Sequence, residues 1–370
     1  MTNPQNPVPQ RHLNYLDSAR GIAAIMVMVA HYLGRIKVPS VTTNILAIFF
    51  NGGDAVSFFF VLSGFVLSYK YLILNESLDI KKYFVNRLFR LWPAFFITVL
   101  ICLLAILYRQ GMTEDALIDN FIYNKYNFWG EAFLPWSRPN LYGPGWTLVL
   151  ELGLSFYLPF GIVLAKKNTQ LLYWAAFTFF LFAPTNGCNF HAHFIAGIII
   201  CTNFYRITDP SFKQTKWYKF RHVILAAAII LFSVRSINRI SEIGSSFVNF
   251  MDYVGISFFQ YSGIASVVFI VAILNSPRAQ QVLRNKILIF LGKISFGIYL
   301  MHWALADGVF FFWDKIRPHF HHYRTAFCSV FFMYAAATIL LALALHYTVE
   351  LPFIKMGKKL TQKMKQSVPV

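Results

Sequence analysis

Leu13-Asn14-Tyr15-Leu16-Asp17-Ser18-Ala19-Arg20-Gly21-Ile22-Ala23-Ala24-Ile25-Met26-Val27-Met28-Val29-Ala30-His31-Tyr32 is the stretch on which the reading of this chain turns. Most of it is apolar, and about 20 such residues suffice, as helix, to cross a hydrocarbon core of roughly 30 Å. Inside it stand Arg20 and His31. Taken alone, Arg20 can snorkel to an interface and His31 can hydrogen-bond a neighbouring helix. Ionisable groups at membrane depth are nevertheless costly, and by default they mark cavities or pathways. The stretch therefore predicts a membrane helix in a protein that does chemistry or transport within the bilayer.

The rest of the chain agrees. Of its 370 residues 57% are hydrophobic and 13% charged, and the mean hydropathy of +0.53 excludes an ordinary water-soluble domain. Apolar segments recur at about 15 to 34, 54 to 74, 91 to 108, 145 to 165, 170 to 186, 190 to 205, 222 to 234, 253 to 275, 287 to 306 and 325 to 348. They predict an all-α, polytopic membrane bundle of about ten transmembrane helices. The net charge of +18 resolves on the same map. With the N-terminus cytoplasmic, 22 of the 33 Lys and Arg fall in inner connections, from Arg11 to Lys365. Ten, among them Arg35, Lys37, Arg109, Arg138 and Arg239, fall in outer ones. That asymmetry predicts both termini on the cytoplasmic side and explains the basic charge without a nucleic-acid partner. The expected layout is a cytoplasmic N-terminal segment 1–12, one transmembrane domain 13–354 and a basic cytoplasmic tail 355–370.

Residues 1–10 are polar, and Arg20 interrupts the first apolar run, so retention of this segment is expected over signal cleavage. Cys102, Cys188, Cys201 and Cys328 lie in or beside apolar segments without paired spacing and read as small buried hydrophobes. No metal site is expected. Neither an internal repeat of the transporter kind nor an appended soluble domain is visible.

Five polar islands interrupt the apolar surroundings. In the first, Asp17 and Arg20 are spaced to pair along a helix, while His31 stands about 16 Å further on at 1.5 Å per residue. Arg20 is thus expected near the inner interface and His31 in the outer half. In the second, Gly52-Gly53-Asp54 leads into Phe58-Phe59-Phe60-Val61-Leu62-Ser63-Gly64-Phe65. Asp54 reads most simply as a helix cap, and Ser63-Gly64 as a place of close helix packing. The third holds Arg87 and Arg90, on one helical face before Trp92-Pro93. Either arginine alone fits positive-inside anchoring, and the two together fit phosphate oxygens through paired donors. In the fourth, Gly143-Pro144-Gly145-Trp146 precedes Glu151, about two turns in and at a depth comparable to His31. A carboxylate there reads as a salt-bridge partner or as the orienting group of a general base. The fifth sets Tyr299 and His302 on one face, either lining a cavity or locking helices together.

In this order the islands resemble the membrane acyltransferase-3 family of bacterial sugar and polysaccharide acyltransferases. The resemblance runs from about Leu13 to Phe353. It is carried by Arg20-x10-His31, the Phe58–Phe65 run, Arg87-x-x-Arg90 with Pro93, Trp146-x4-Glu151, Ser295-x3-Tyr299-x2-His302, and Glu350-Leu351-Pro352. Ser18-Ala19 stands where the family often has Gly-Leu. Leu152-Gly153 stands where it often has a second acidic or amide residue, leaving Glu151 as the only acid there.

The resemblance implies transfer of an acyl group, most often acetyl from acetyl-CoA, to a hydroxyl of a carbohydrate or glycolipid, in the bacterial cytoplasmic membrane. His31 is then expected to act as general base, with Glu151 orienting it. Arg87 and Arg90 would bind the phosphates of CoA, with Arg20 supporting the donor path. Asp17, Asp54, Trp146, Tyr299 and His302 are expected to bind substrate or support the site. A transporter or flippase for a glycolipid or small anion also suits intramembrane charge. A structural subunit of an envelope-glycan assembly accounts for the polar islands least well.

Overall fold

The structure, a computed structural model, describes residues 10, 12–36, 40–133, 140–182, 189–237, 242–253 and 256–366. Arg11, Lys37, Arg138, Cys188 and Arg239 lie outside the described residues, as do 1–9 and 367–370 of the expected terminal segments. Among the described residues the regular structure is helical throughout, without a strand. Thirteen of the helices organise the molecule. They are α1 (Asn14–Arg35), α2 (Ser40–Phe49), α3 (Gly52–Leu72), α4 (Ile80–Arg109), α5 (Gly145–Lys167), α6 (Thr169–Leu181), α7 (Asn189–Thr202), α8 (Arg221–Ile237), α9 (Phe258–Asn275), α10 (Pro277–Leu283), α11 (Ser295–Ile316), α12 (Tyr323–Leu345) and α13 (Leu351–Gln366).

Six helical stretches among the described residues are long and apolar enough to cross a membrane. A seventh is added if α9 and α10, bent by 95° at their junction, count as one span. The expected segments 170 to 186, 190 to 205 and 222 to 234 coincide with shorter apolar helices. A 13-residue helix such as α6 rises only about 20 Å, short of a hydrocarbon core of roughly 30 Å.

Two of the expected boundaries move for local reasons. The segment read as beginning at residue 91 belongs to a helix that begins at Ile80. There the Asp79 carboxylate caps it by accepting from the Lys82 amide at 3.0 Å. Lys81 and Lys82 are therefore helical rather than parts of a connection, and Arg87 and Arg90 lie on the helix as their spacing predicts. The segment read as 287 to 306 is divided at Ile294, between a short helix, Lys286–Lys293, and α11.

The chain forms two compact units. The first comprises 1–30, 38–78 and 157–293. Here α3 packs between α7 and α9, and glycines set the closest approach. A Cβ on Gly64 would overlap the Phe194 carbonyl, and one on Gly197 the Val61 carbonyl, so the helix backbones meet directly. That is the close packing expected of Ser63-Gly64. Asp17 pairs with Arg20 at 3.4 Å and with His12 at 2.7 Å, the first as its spacing predicts. Asn51 supplies the cap of α3, its side chain accepting from the Asp54 amide at 3.5 Å, and Asp54 itself lies buried in the first turn.

The second unit comprises 31–37, 79–156 and 294–370. Its core joins Phe95, Val99 and Leu103 of α4 to Leu148 of α5, Leu300 of α11 and Leu345 of α12. Cys102 is buried in it, and Cys201 is buried in the first unit, whereas Cys328 is exposed on α12 instead of buried.

Candidate active site

In the second unit a line of polar side chains runs along α4, α5, α11 and the last turn of α1. On α5 it is made by Thr147, Glu151 and Ser155, each four residues from the next and therefore on one helical face. Arg87 of α4 meets two of them. Its Nη2 lies 2.9 Å from Glu151 Oε1, and its Nε and Nη2 donate to Ser155 Oγ at 3.1 and 2.9 Å. The Ser155 hydroxyl donates in turn to the Glu151 carbonyl at 2.6 Å, leaving its lone pairs to the guanidinium. A buried arginine is tolerated because it is both paired and hydrogen-bonded.

One turn away, the Thr147 hydroxyl donates to the Pro144 carbonyl at 2.9 Å, so its 2.7 Å contact with Tyr299 is a bond donated by the phenol. Tyr142, itself buried, donates to the Tyr299 carbonyl at 2.6 Å. The rings of Tyr299 and His302 follow, with centroids 5.5 Å apart. His302 is fully buried. Its Nδ1 lies 3.3 Å from the Ile298 carbonyl and its Nε2 3.1 Å from Nδ1 of His31. Beyond His31, Trp303 stands edge-on at 5.1 Å, with the Arg35 guanidinium 4.4 Å from the centre of its indole. Arg35 closes the line by pairing with Asp307 at 2.7 Å, each side chain 30% exposed.

A carbonyl only accepts, so the Ile298 contact calls for a proton on His302 Nδ1. Nδ1 of His31 is the ring nitrogen that faces His302 Nε2.

The chain entering α5 is braced from the loop side. Glu131 is buried, and its carboxylate accepts from the amides of Asn140, Leu141 and Tyr142 at 2.8, 2.8 and 2.9 Å. Burial raises its pKa above the ordinary carboxylate range, and the three amide donors oppose that shift. Glu131 thereby fixes the backbone of Tyr142, which reaches Tyr299.

Several expectations change in this geometry. Glu151 is engaged by Arg87, and the group that meets His31 is His302, because the two helix faces place an imidazole where a carboxylate was expected. Arg87 and Arg90 do not share an environment: Arg87 is buried against Glu151, while Arg90 is exposed. Trp146 is on the exposed side of α5, and its neighbour Thr147 faces Tyr299. Tyr299 and His302 lie on the line. Asp17, Arg20 and Asp54 belong to the first unit.

Sequence reasoning passed over Ser155, Thr147, Arg35, Asp307 and Glu131 as site residues. The signal was present for most of them: Thr147-x3-Glu151-x3-Ser155, His31-x3-Arg35 and Trp303-x3-Asp307 are all same-face spacings. Glu131 carried no such signal. Among the described residues no group of three or more His, Cys, Asp or Glu side chains could hold a metal ion.

Comparison with known proteins bears on this arrangement. The sequence model of a family described as an acyltransferase domain matches residues 13–347. Nodulation protein 10 of Rhizobium leguminosarum bv. viciae is 27% identical over 177 residues, which cover 44% of this chain and 47% of that protein. The chain thus spans about half the length of that relative. A protein of Acidianus two-tailed virus named "Putative acetyltransferase ORF330" is 26% identical over 303 residues, 78% of this chain and 82% of its own. No solved structure matches significantly.

Proposed function

Given that the chain belongs to the acyltransferase family whose domain spans residues 13–347 and is a membrane acyltransferase, we propose that it moves an acetyl group from acetyl-CoA to a carbohydrate or glycolipid hydroxyl. The name of the viral relative supports acetyl as the group transferred. The observation that carries the reading is the 3.1 Å contact between His31 and the buried His302. His31 Nε2 takes the proton of the acceptor hydroxyl as that oxygen attacks the thioester carbonyl. A C–O bond forms, the C–S bond breaks, and the departing thiolate receives the proton back from His31. His302 is a positioning residue, holding the His31 ring through Nδ1.

Under this reading Trp303 and the Arg35–Asp307 pair, which continue the line past His31, border the acceptor. Sugars suit an aromatic face beside charged hydrogen-bonding groups. Arg90, exposed on α4, is the better placed of the two α4 arginines for the CoA phosphates. The paired Arg87 instead orients Glu151 and Ser155. The chain sits in the bacterial cytoplasmic membrane with both termini and the α4 arginines on the cytosolic side.

Purified full-length protein given labelled acetyl-CoA and candidate glycans tests the reading. A labelled glycan is expected, and its loss in His31→Ala protein of normal yield supports the role of His31. Movement of glycolipid across a vesicle without any acylated product would instead support a transporter.

A further inference from the structure

Apart from the polar line, the first unit contains a groove of about 750 Å³ between α8 and α9, within the usual range of ligand sites. Its lining is divided along its length. Tyr218, Arg221, His222, Asn275, Ser276 and Arg278 form its polar part, with Trp217 beside them; the remaining walls are mainly aliphatic, with Leu225, Val267 and Val271 prominent. The division follows from the fold. Arg221 opens α8, and the 95° bend after Asn275 carries Arg278 of α10 to the same end. Arg221 donates to the Tyr218 carbonyl at 3.0 Å and stacks over that ring at 4.4 Å, which holds the guanidinium in place with donors to spare. No carboxylate pairs with Arg221 or Arg278 among the described residues. The apolar walls continue into a second groove of about 530 Å³ that shares Leu225, Ala272 and Ser276 with the first.

We propose that this groove is a binding site for an anionic phospholipid, its phosphate between Arg221 and Arg278 and its acyl chains along Val267, Val271 and the adjoining groove. Two unpaired cations beside Trp and Tyr at the end of an apolar furrow match a lipid headgroup at the membrane interface. CoA matches less well: its pantetheine arm carries two amides that need donors and acceptors, and apart from Asn275 and Ser276 the walls away from the arginines are apolar. The inference does not depend on the catalytic role of His31.

The test uses the full-length protein in non-ionic detergent, titrated with equal amounts of phosphatidylglycerol and phosphatidylcholine and read by native mass spectrometry. Phosphatidylglycerol is expected to be retained on the order of tenfold more than phosphatidylcholine. The ratio should fall to near one in the Arg221→Gln/Arg278→Gln protein and remain high in Arg221→Lys/Arg278→Lys. Val271→Trp, which fills the groove, should reduce retention of both lipids. Equal retention by the wild-type protein, or an undiminished preference in the double Gln variant, overturns the proposal. So does displacement of the lipid by equimolar CoA or inorganic phosphate, which would make the site one for a soluble anion. Should the double Gln variant fail to fold, a photoreactive-acyl phosphatidylglycerol decides the matter on wild-type protein. Label within 264–278 is expected, and label confined to other helices rejects the site.

Discussion

At one end of the polar line Arg87 and Glu151 meet as full opposite charges; at the other, His31 and His302 meet as two imidazoles 3.1 Å apart. In the first contact Arg87 has a carboxylate and a hydroxyl, the hydroxyl has a carbonyl, and the arrangement anchors α4 to α5. In the second, His31 meets the buried His302, whose other ring nitrogen lies against the Ile298 carbonyl. Polar residues at comparable cost in an apolar bundle therefore serve different ends. Opposite charges in contact hold helices, whereas two imidazoles in contact suit a site that can take a proton.

The largest expected effect separates the two ends by chemistry. His31→Ala should lower turnover by about 10²- to 10⁴-fold with the protein still in the membrane, the usual contribution of a positioned base. Labelled-acetyl transfer at matched protein levels measures it, and near-normal transfer would dissolve the distinction between the ends. The second effect concerns stability. Glu151→Ala leaves Arg87, 9% exposed, without its carboxylate, whereas Arg87→Ala leaves Glu151, 25% exposed. The stranded charge is the more buried one in Glu151→Ala, which should cost about 3 kcal/mol and more than Arg87→Ala. Thermal unfolding in detergent reads this order, and the reverse order would mean that the pair is not the anchor of α4.

A smaller effect tests the imidazole contact. His302→Gln keeps a hydrogen-bonding group for His31 Nδ1 and His302→Leu does not, so turnover should fall roughly tenfold further in the Leu protein. Its pH–rate profile should shift as well, a change that a purely structural loss would not produce. Smallest of all, Asp307→Asn removes a pair whose partners are each 30% exposed, which is worth about 0.5 kcal/mol or less. Its stability should be close to wild type, while the KM for the acceptor should rise if Asp307 borders that substrate.

Much of the fold was legible because a bilayer imposes a simple rule: a helix must be long and apolar to cross it. The spans at α1, α3, α5 and α12 were placed to within a few residues on that ground. The same rule did not reveal that α4 extends back through Lys81 and Lys82 to Ile80, since a capped helix continues through charged turns. Nor did it foresee the bend at Ser276 or the interruption at Ile294, where helices end by local geometry within apolar sequence. In the site, His31, Glu151, Arg87, Tyr299 and His302 stood out as polar residues in apolar surroundings. Their pairing did not, because comparable depth along two helices says nothing about which faces meet. Glu131 was hidden in a loop where acidic residues are common, and only its three amide partners mark it.

The sequence by itself determined that this is an all-helical membrane protein, which residues are costly at membrane depth, and which family it resembles. These properties are sums or spacings along the chain: hydropathy, charge and the order of motifs. Only the tertiary structure decided that Glu151 answers Arg87, that His302 answers His31, and that Arg221 and Arg278 share the mouth of one groove. Each of these depends on which helix faces which, and on rotation about helix axes. Close packing sets that rotation through contacts between residues far apart in the chain.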